Sequence, residues 1–520
     1  MYITQALHRA LQQRPDQVAS RFGHRSRTFR ELGDRVARLA GALHALGMNE
    51  GDRIAMLALN SDRYLEYQMG VPWAGGVLNP CNTRWSVAEI LYALNDSGST
   101  VLMVDDNFCA MAESLRKEAA TLRHVIYCGE KEQAPEGMLH YETLLAEATP
   151  AEDVRRHDED LAGIFYTGGT TGFPKGVMLS HTNLISSAMS GTAGGVTTSG
   201  GTYMHAAPMF HLADYGVSMP HWLDGNTHSV LGAFTPEAVL DTIERDRVTH
   251  MLLVPTMVQM TVDSPAMKQA RDLSSLKTII YGASPMSEAV LERAMAALPG
   301  VGFVQAYGMT ELSPVATLLS QEQHLPEARK RGMLRSAGCA TLCTEVKIVD
   351  EAGKEVARGE VGEIAVRGPN VMLGYWNKPE QTEQAIRNGW MHTGDGGRMD
   401  ERGFIYVVDR LKDMIISGGE NVFSIEVENA LAQHPDVLAC AVIGVPSDQW
   451  GEAVHAVVVS RPGAANDAAA LIAHCKTLIA GYKSPRSVDF RDALPLSGAG
   501  KILKTELRKP FWDKVDRKIG

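Results

Sequence analysis

The stretch Tyr166–Gly176, YTGGTTGFPKG, comes directly after the apolar segment LAGIF (161–165), and it is the place from which the architecture can be read. Gly168, Gly169 and Gly172 leave the backbone free to approach a ligand closely. Thr167, Thr170 and Thr171 offer hydroxyl donors, and Lys175 offers a cation. Such a set suits a polyphosphate, although a lone Gly/Thr-rich segment is as often an ordinary surface loop. It is not a Walker A loop. That motif needs glycine directly before the lysine and Ser or Thr after it, and here Lys175 stands between Pro174 and Gly176.

Outward from this loop, helical and extended patterns alternate. RELGDRVARLAGALHAL (30–46) has apolar side chains at helical spacing and leads into the strand GDRIAMLAL; SVAEILYALNDSG (86–98) precedes STVLMVD. FTPEAVLDTIERDRV (234–248) precedes THMLLVP, and SEAVLERAMAAL (287–298) precedes GFVQAYG. Alternation with continuous apolar strands predicts an α/β fold of mostly parallel sheets covered on both faces. From Val346 the texture changes to short, glycine-rich strands, which predicts an antiparallel region of barrel or hairpin type. Beyond Lys412 a helix, two strands and another helix supply enough material for a separate α+β domain.

Four further stretches carry chemistry. AYGMTE (306–311) ends the strand GFVQ with a ring, a hydroxyl and a carboxylate; Glu311 suits a hard cation, since Mg²⁺ takes one or two carboxylates plus substrate oxygens. In GWMHTGDGG (389–397), Asp395 lies between glycines and can accept from ribose hydroxyls, or simply cap a tight turn. DRLKDMIISGGENV (409–422) offers Arg410 for ribose or phosphate, and Gly418 and Gly419 for close passage of a narrow substrate arm. PLSGAGK (495–501) places Lys501 on a glycine-flanked loop.

Composition sets the limits on partners. The 520 residues carry a net charge of −11, so the long-range field repels nucleic acid and anionic membranes, and an anionic ligand has to be met by local charge or metal. The seven cysteines include no CxxC pair and read as small buried hydrophobes. The first residues, MYITQALHRALQQRPDQ, lack the apolar core of a signal peptide, and no apolar run approaches the roughly 20 residues of a membrane span. A cytoplasmic enzyme is expected. A homodimer is compatible with the sequence but specified by nothing in it.

Taken in order, YTGGTTGFPKG, AYGMTE, TGD, DRLKD and GK resemble the motifs of the adenylate-forming superfamily of acyl-CoA synthetases, luciferases and carrier-loading adenylation domains. The resemblance covers essentially the whole chain, and the first loop is similar to that family's (Y/F)TSGTTGxPKG. It implies a large N-terminal domain, residues 1–411, built of two α/β sheet subdomains and a small β-barrel. A mobile α+β domain, residues 412–520, would turn about a hinge near Lys412. The substrates implied are ATP, a carboxylic acid and coenzyme A, with Mg²⁺. Thr167, Gly168, Gly169, Thr170, Thr171, Gly172 and Lys175 would close over the β- and γ-phosphates. Thr310 would contact the α-phosphate, and Glu311 would hold the metal. Gly282, Ala283 and Ser284 would line the adenine and carboxylate end, with Tyr307 on the purine and Gly308 beside it. Asp395 would hold the ribose with Arg410, Lys501 would bridge carboxylate and α-phosphate, and Gly418 and Gly419 would meet the pantetheine arm after rotation.

Three departures from that pattern stand out. Gly168 replaces the usual Ser, a second Gly follows Gly396, and NVFS replaces the common NIYP. The acyl pocket implied around PMFH contains His211 as its gate, then Ala213, Tyr215, Gly216, Val217, Met219 and Trp222, with Ala306 and Gly308. These are mostly small or apolar, and Asp214 is the one exception. An apolar or aromatic tail is therefore expected, a medium- or long-chain fatty acid or an aryl-propenoic acid. Two alternatives remain at this level: a ligase that loads a carrier protein's phosphopantetheine, and a non-catalytic nucleotide-binding regulator.

Overall fold

Thr28 and Ser86 begin two of the expected helices, and both do so with a capping box. The Thr28 hydroxyl accepts from Glu31 N–H while the Glu31 carboxylate accepts from Thr28 N–H at 2.7 Å; Ser86 and Glu89 repeat the arrangement. The helices run Phe29–Ala45 and Val87–Ser97, the second stopped by Gly98 in the left-handed region. Pro at the first position opens Pro236–Asp246, where Thr235 is the cap. The computed structural model describes residues 1–168, 174–410, 413–498 and 500–513. The expectations placed on Gly169, Thr170, Thr171, Gly172 and Lys412 lie outside the described residues.

Two large sheets carry the first part of the chain. One has eight strands, in the order Gly374–Tyr375, Lys175–Ser180, Leu161–Thr167, Val77–Pro80, Arg53–Leu57, Val101–Val104, His124–Tyr127 and Leu139–His140. From Leu161–Thr167 onward the pairing is parallel, and the first two junctions are antiparallel. The other has nine, running from Cys339–Ala340 through Val315–Leu319, Gly302–Gly308, Thr278–Gly282 and His250–Leu253 to Thr202–His205, Thr227–Val230, Val18–Phe22 and Arg25–Thr28. It too is parallel in the middle and antiparallel at its edges. Helices Asp62–Trp73, His181–Ala193 and Leu212–Asp224 contribute to the largest apolar cluster, which reaches strands of both sheets. Burial on both faces is why the central strands read as unbroken apolar runs.

The turn-rich region forms a five-stranded antiparallel sheet: Glu345–Val349, Val361–Arg367, Trp390–Met399 and Ile386–Arg387, with Ile405–Arg410 also on Trp390–Met399. The expected small barrel takes this form, and its hydrogen-bonded path among the described residues is open. The last unit pairs Glu420–Val422, Ile415–Ser417, Gly451–Ser460 and Val437–Ser447, with Ser487–Phe490 parallel to Gly451–Ser460. Helices Ser424–Leu431 and Ala468–Leu478 share one apolar cluster with it, and Lys504–Trp512 contributes Leu507 and Phe511 to another. All seven cysteines are free; Cys81, Cys128 and Cys475 are buried as expected, and burial pushes the Cys81 thiol up to about 12, whereas Cys109, Cys339, Cys343 and Cys440 are only partly buried. Among the described residues no helix is long and apolar enough to cross a membrane.

Candidate active site

The glycine- and threonine-rich loop is carried by a hairpin. Leu161–Thr167 and Lys175–Ser180 pair antiparallel, with Thr167 opposite Lys175, so both motif ends are held side by side in the eight-stranded sheet. Tyr166 does not face a ligand: its hydroxyl donates to Asp96 at 2.6 Å, and burial raises the phenol above its ordinary pKa. The Lys175 ammonium sits 4.8 Å from the Tyr375 ring centre, and the Tyr375 hydroxyl donates to Glu311 Oε1 at 2.8 Å. One tyrosine thus joins the phosphate-loop cation to the expected metal ligand.

Glu311 belongs to the short 3₁₀ turn Thr310–Leu312, which follows the strand Gly302–Gly308. Gly308 has no room for a side chain, since a Cβ there would fall 1.9 Å from Pro314 O. The Asn370 amide donates to Leu312 O and Val315 O, and Met372 N–H donates to Glu311 O at 3.0 Å, so the turn is clamped from the following loop. The Glu311 side chain is buried, and a single carboxylate beside a phosphate loop fits Mg²⁺ completed by substrate oxygens. Among the described residues no group of three or more His, Cys, Asp or Glu side chains forms a cage for a metal. On the neighbouring strand Thr278–Gly282, a Cβ on Gly282 would fall 2.1 Å from Ala306 O; Ala283 then takes φ +64°, a costly conformation for a residue with a Cβ. Gly282, Ala283 and Ser284 therefore lie at the carboxyl end of a parallel strand, where open α/β sheets bind their ligands.

Asp395 and Arg410 are direct cross-strand partners. Arg410 Nε meets Asp395 Oδ1 at 3.0 Å, and the Tyr307 hydroxyl donates to Oδ2 at 2.8 Å. The Asp395 charge raises the Arg410 guanidinium above its ordinary pKa. The strand Trp390–Met399 is held beside Asp395 by Glu363, whose carboxylate accepts from Gly394 N–H at 2.9 Å and bonds His392 Nδ1 at 2.7 Å. Tyr307 thus joins the nine-stranded sheet to the antiparallel one beside Asp395.

Lys501 reaches this centre from the last unit. Leu496 and Ile502 form an antiparallel bridge, Ser497 N–H donates to Lys501 O at 2.7 Å, and Lys501 N–H donates to the Ser497 hydroxyl at 3.1 Å. Burial and the neighbouring Arg410 lower the Lys501 ammonium below its ordinary pKa, against the opposing pull of Asp395 and Glu311. Burial and Lys501 push His211 down to about 3, so this ring is neutral. Its Nδ1 accepts from Ala213 N–H at 3.1 Å, which leaves the proton on Nε2. Lys175, Glu311, Tyr307, Asp395, Arg410, Lys501 and His211 are thereby brought into one neighbourhood. Gly418 and Gly419 are not part of it. They make the turn between Ile415–Ser417 and Glu420–Val422, with φ of +64° and +84°.

The residues expected to line an acyl pocket fall into two packing groups. Ala213 and Val217 join Leu252, Ile280, Val304 and Ala306 in one apolar cluster. Tyr215, Met219 and Trp222 lie in the main core instead, because they occupy another face of helix Leu212–Asp224. Gly216 meets the Glu311 turn: a Cβ would fall 2.1 Å from Pro314 Cδ. Asp214 is fully buried and already engaged. His205 Nδ1 is 2.6 Å from its Oδ2, the Tyr203 hydroxyl donates to Oδ1 at 3.2 Å, and His205 Nε2 continues to His228 Nδ1 at 2.9 Å. Both of its oxygens are therefore occupied by the protein's own His205 and Tyr203.

Comparison with known proteins agrees with this geometry. Residues 7–376 match the AMP-binding enzyme family, and residues 426–501 match the AMP-binding enzyme C-terminal domain. A feruloyl-CoA synthase of Amycolatopsis sp is 42% identical over 498 residues, covering 96% of each chain. A medium/long-chain-fatty-acid–CoA ligase of Mycobacterium tuberculosis is 37% identical, covering 94% of this chain and 86% of its own. The crystal structure of ATP-bound MatB from Rhodopseudomonas palustris superposes with a TM-score of 0.88 at 31% identity, covering 99% of each chain. The chain belongs to the AMP-binding enzyme family, as an AMP-forming acid–thiol ligase.

Proposed function

We propose that the protein is an ATP-dependent acyl-CoA synthetase for a carboxylic acid with an apolar or aromatic tail, a medium- or long-chain fatty acid or an aryl-propenoic acid. The observation that carries the reading is the position of Lys501, a half-buried ammonium within electrostatic reach of Glu311, Asp395 and Arg410 and beside His211. In the first half-reaction a carboxylate oxygen attacks the α-phosphorus of ATP, the bond to pyrophosphate breaks, and acyl-AMP remains. Lys175 and the loop around it take the β- and γ-phosphates, Thr310 touches the α-phosphate, and Asp395 with Arg410 holds the ribose. Mg²⁺ held by Glu311 would neutralise phosphate charge. Lys501 bridges the two anions that have to meet, so its charge counts most while the new bond forms.

In the second half-reaction the thiol of coenzyme A attacks the acyl carbon and AMP leaves. The two steps need opposite access to one adenylate. Rotation of residues 412–520 about Lys412, withdrawing Lys501 and bringing Gly418 and Gly419 to the pantetheine arm, meets that need. The apolar cluster around Val217 and Val304, together with the engagement of both Asp214 oxygens by His205 and Tyr203, supports the tail assignment. So does the likeness to feruloyl-CoA and fatty-acyl-CoA ligases.

Lys501→Ala is expected to abolish acid-dependent ATP–pyrophosphate exchange while largely sparing thioester formation from supplied acyl-AMP. Equal loss of both would refute the role of Lys501. A panel of acids from acetate through fatty acids to cinnamates, assayed by pyrophosphate release with coenzyme A or a holo-carrier protein as acceptor, tests the rest. Preference for acetate overturns the tail assignment, preference for the carrier overturns the acceptor, and nucleotide binding without acid-dependent turnover overturns the enzyme.

A further inference from the structure

The two glycines that flank the Lys501 loop, Gly498 and Gly500, meet neighbours on both sides. A Cβ on Gly498 would lie 2.5 Å from Asn82 Oδ1 and 3.1 Å from Asn82 Cγ. A Cβ on Gly500, which already has φ +78°, would lie 3.0 Å from Val254 Cγ2 and 3.4 Å from Thr256 Oγ1. Arg84 Nη1 donates to Ser497 O at 2.8 Å, across 413 residues of sequence, and Thr256 Oγ1 donates to Gly500 O at 3.3 Å. Arg84 is itself set by its own N–H, which donates to Asn82 Oδ1 at 3.0 Å. The hairpin bearing Lys501 is thus gripped at its backbone from two directions. On one side is the loop after strand Val77–Pro80 of the eight-stranded sheet; on the other is the start of helix Pro255–Asp263, which follows a strand of the nine-stranded sheet.

We infer that Asn82, Arg84 and Thr256 form a clasp that holds the Lys501 hairpin in place for adenylation and lets it go for thioester formation. They are positioning residues, acting through Lys501, and the inference rests on the role of Lys501 proposed above. A carbonyl that accepts from a guanidinium is a grip of moderate strength, made and broken without covalent change. The side-chain-free Gly498 and Gly500 let the hairpin lie flush against both walls.

The test uses the purified full chain carrying Arg84→Ala, Arg84→Lys, Thr256→Val or Gly498→Ala, with Lys501→Ala as reference, in two assays. These are acid-dependent ATP–pyrophosphate exchange and coenzyme A-dependent consumption of supplied acyl-AMP. Arg84→Ala is expected to slow exchange about tenfold, Thr256→Val by a few-fold, and Arg84→Lys to recover most of the rate. Gly498→Ala is expected to slow exchange as well, since its new methyl abuts Asn82. In every case consumption of acyl-AMP stays at the wild-type rate or rises. Wild-type exchange in both Arg84→Ala and Gly498→Ala, or an equal fall in both assays, overturns the clasp. If Lys501→Ala itself leaves exchange intact, the functional reading falls; if Lys501→Ala abolishes exchange while the clasp variants do not slow it, only the clasp falls.

Discussion

Tyr375 does two jobs with two parts of one side chain: its ring faces Lys175 and its hydroxyl holds Glu311. Tyr375→Phe separates them. The variant is expected to keep its affinity for ATP but to need several-fold more Mg²⁺ for half-maximal exchange, because a lost hydrogen bond of about 1 kcal/mol frees the Glu311 carboxylate to turn away. Titrating exchange activity against Mg²⁺ checks it. Gly168 makes the opposite case. A Cβ there meets nothing within 4 Å among the described residues, so Gly168→Ser is expected to be tolerated and to lower the KM for ATP a few-fold by adding a hydroxyl donor. Initial rates against ATP concentration decide it.

At the level of elements, the site depends on strands ending where backbone meets backbone. Gly308→Ala would put a methyl 1.9 Å from Pro314 O and force the strand end away from the turn that carries Glu311. A loss of about 1–3 kcal/mol is expected, with exchange activity falling further than stability does. Thermal unfolding and exchange assays on the same preparation separate the two. The elements themselves were legible in the sequence, because capping residues such as Thr28 and Ser86 and unbroken apolar strands are local signals. The motif residues were legible as well. Their supports were not. Glu363 lies 31 residues before the glycine it holds, Tyr375 lies 64 after Glu311, and Arg84 lies 413 before its partner. No spacing rule announces such pairs; only the fold brings them together. The partner of Asp214 was hidden for the same reason, since His205 ends a different element.

Across the whole molecule, a charged network ties the first helices and strands to one another. Asp62 is buried between Arg25 and Arg27, and Glu66 pairs with Arg35 at 2.6 Å. Burial alone would raise the Asp62 carboxyl, but the two guanidiniums outweigh it and hold it at about 2, below its ordinary 3.8. A carboxyl depressed in the folded state stabilises above its unfolded pKa, and that contribution disappears as pH falls from about 4 to about 2. The amount is on the order of 2 kcal/mol. Arg27→Ala is therefore expected to move the acid-unfolding midpoint upward, as measured by circular dichroism across pH.

Asp395 and Arg410 stand on the small antiparallel sheet, Lys175 on the eight-stranded one, and the residues around Val217 on a helix beside the nine-stranded one. With the nucleotide held in large part from the first two of these pieces, as proposed above, substitutions around Val217 are expected to retune diet while leaving most of the hold on the energy supply in place. A lineage built on this plan can wander among carboxylic acids while its use of ATP stays the same.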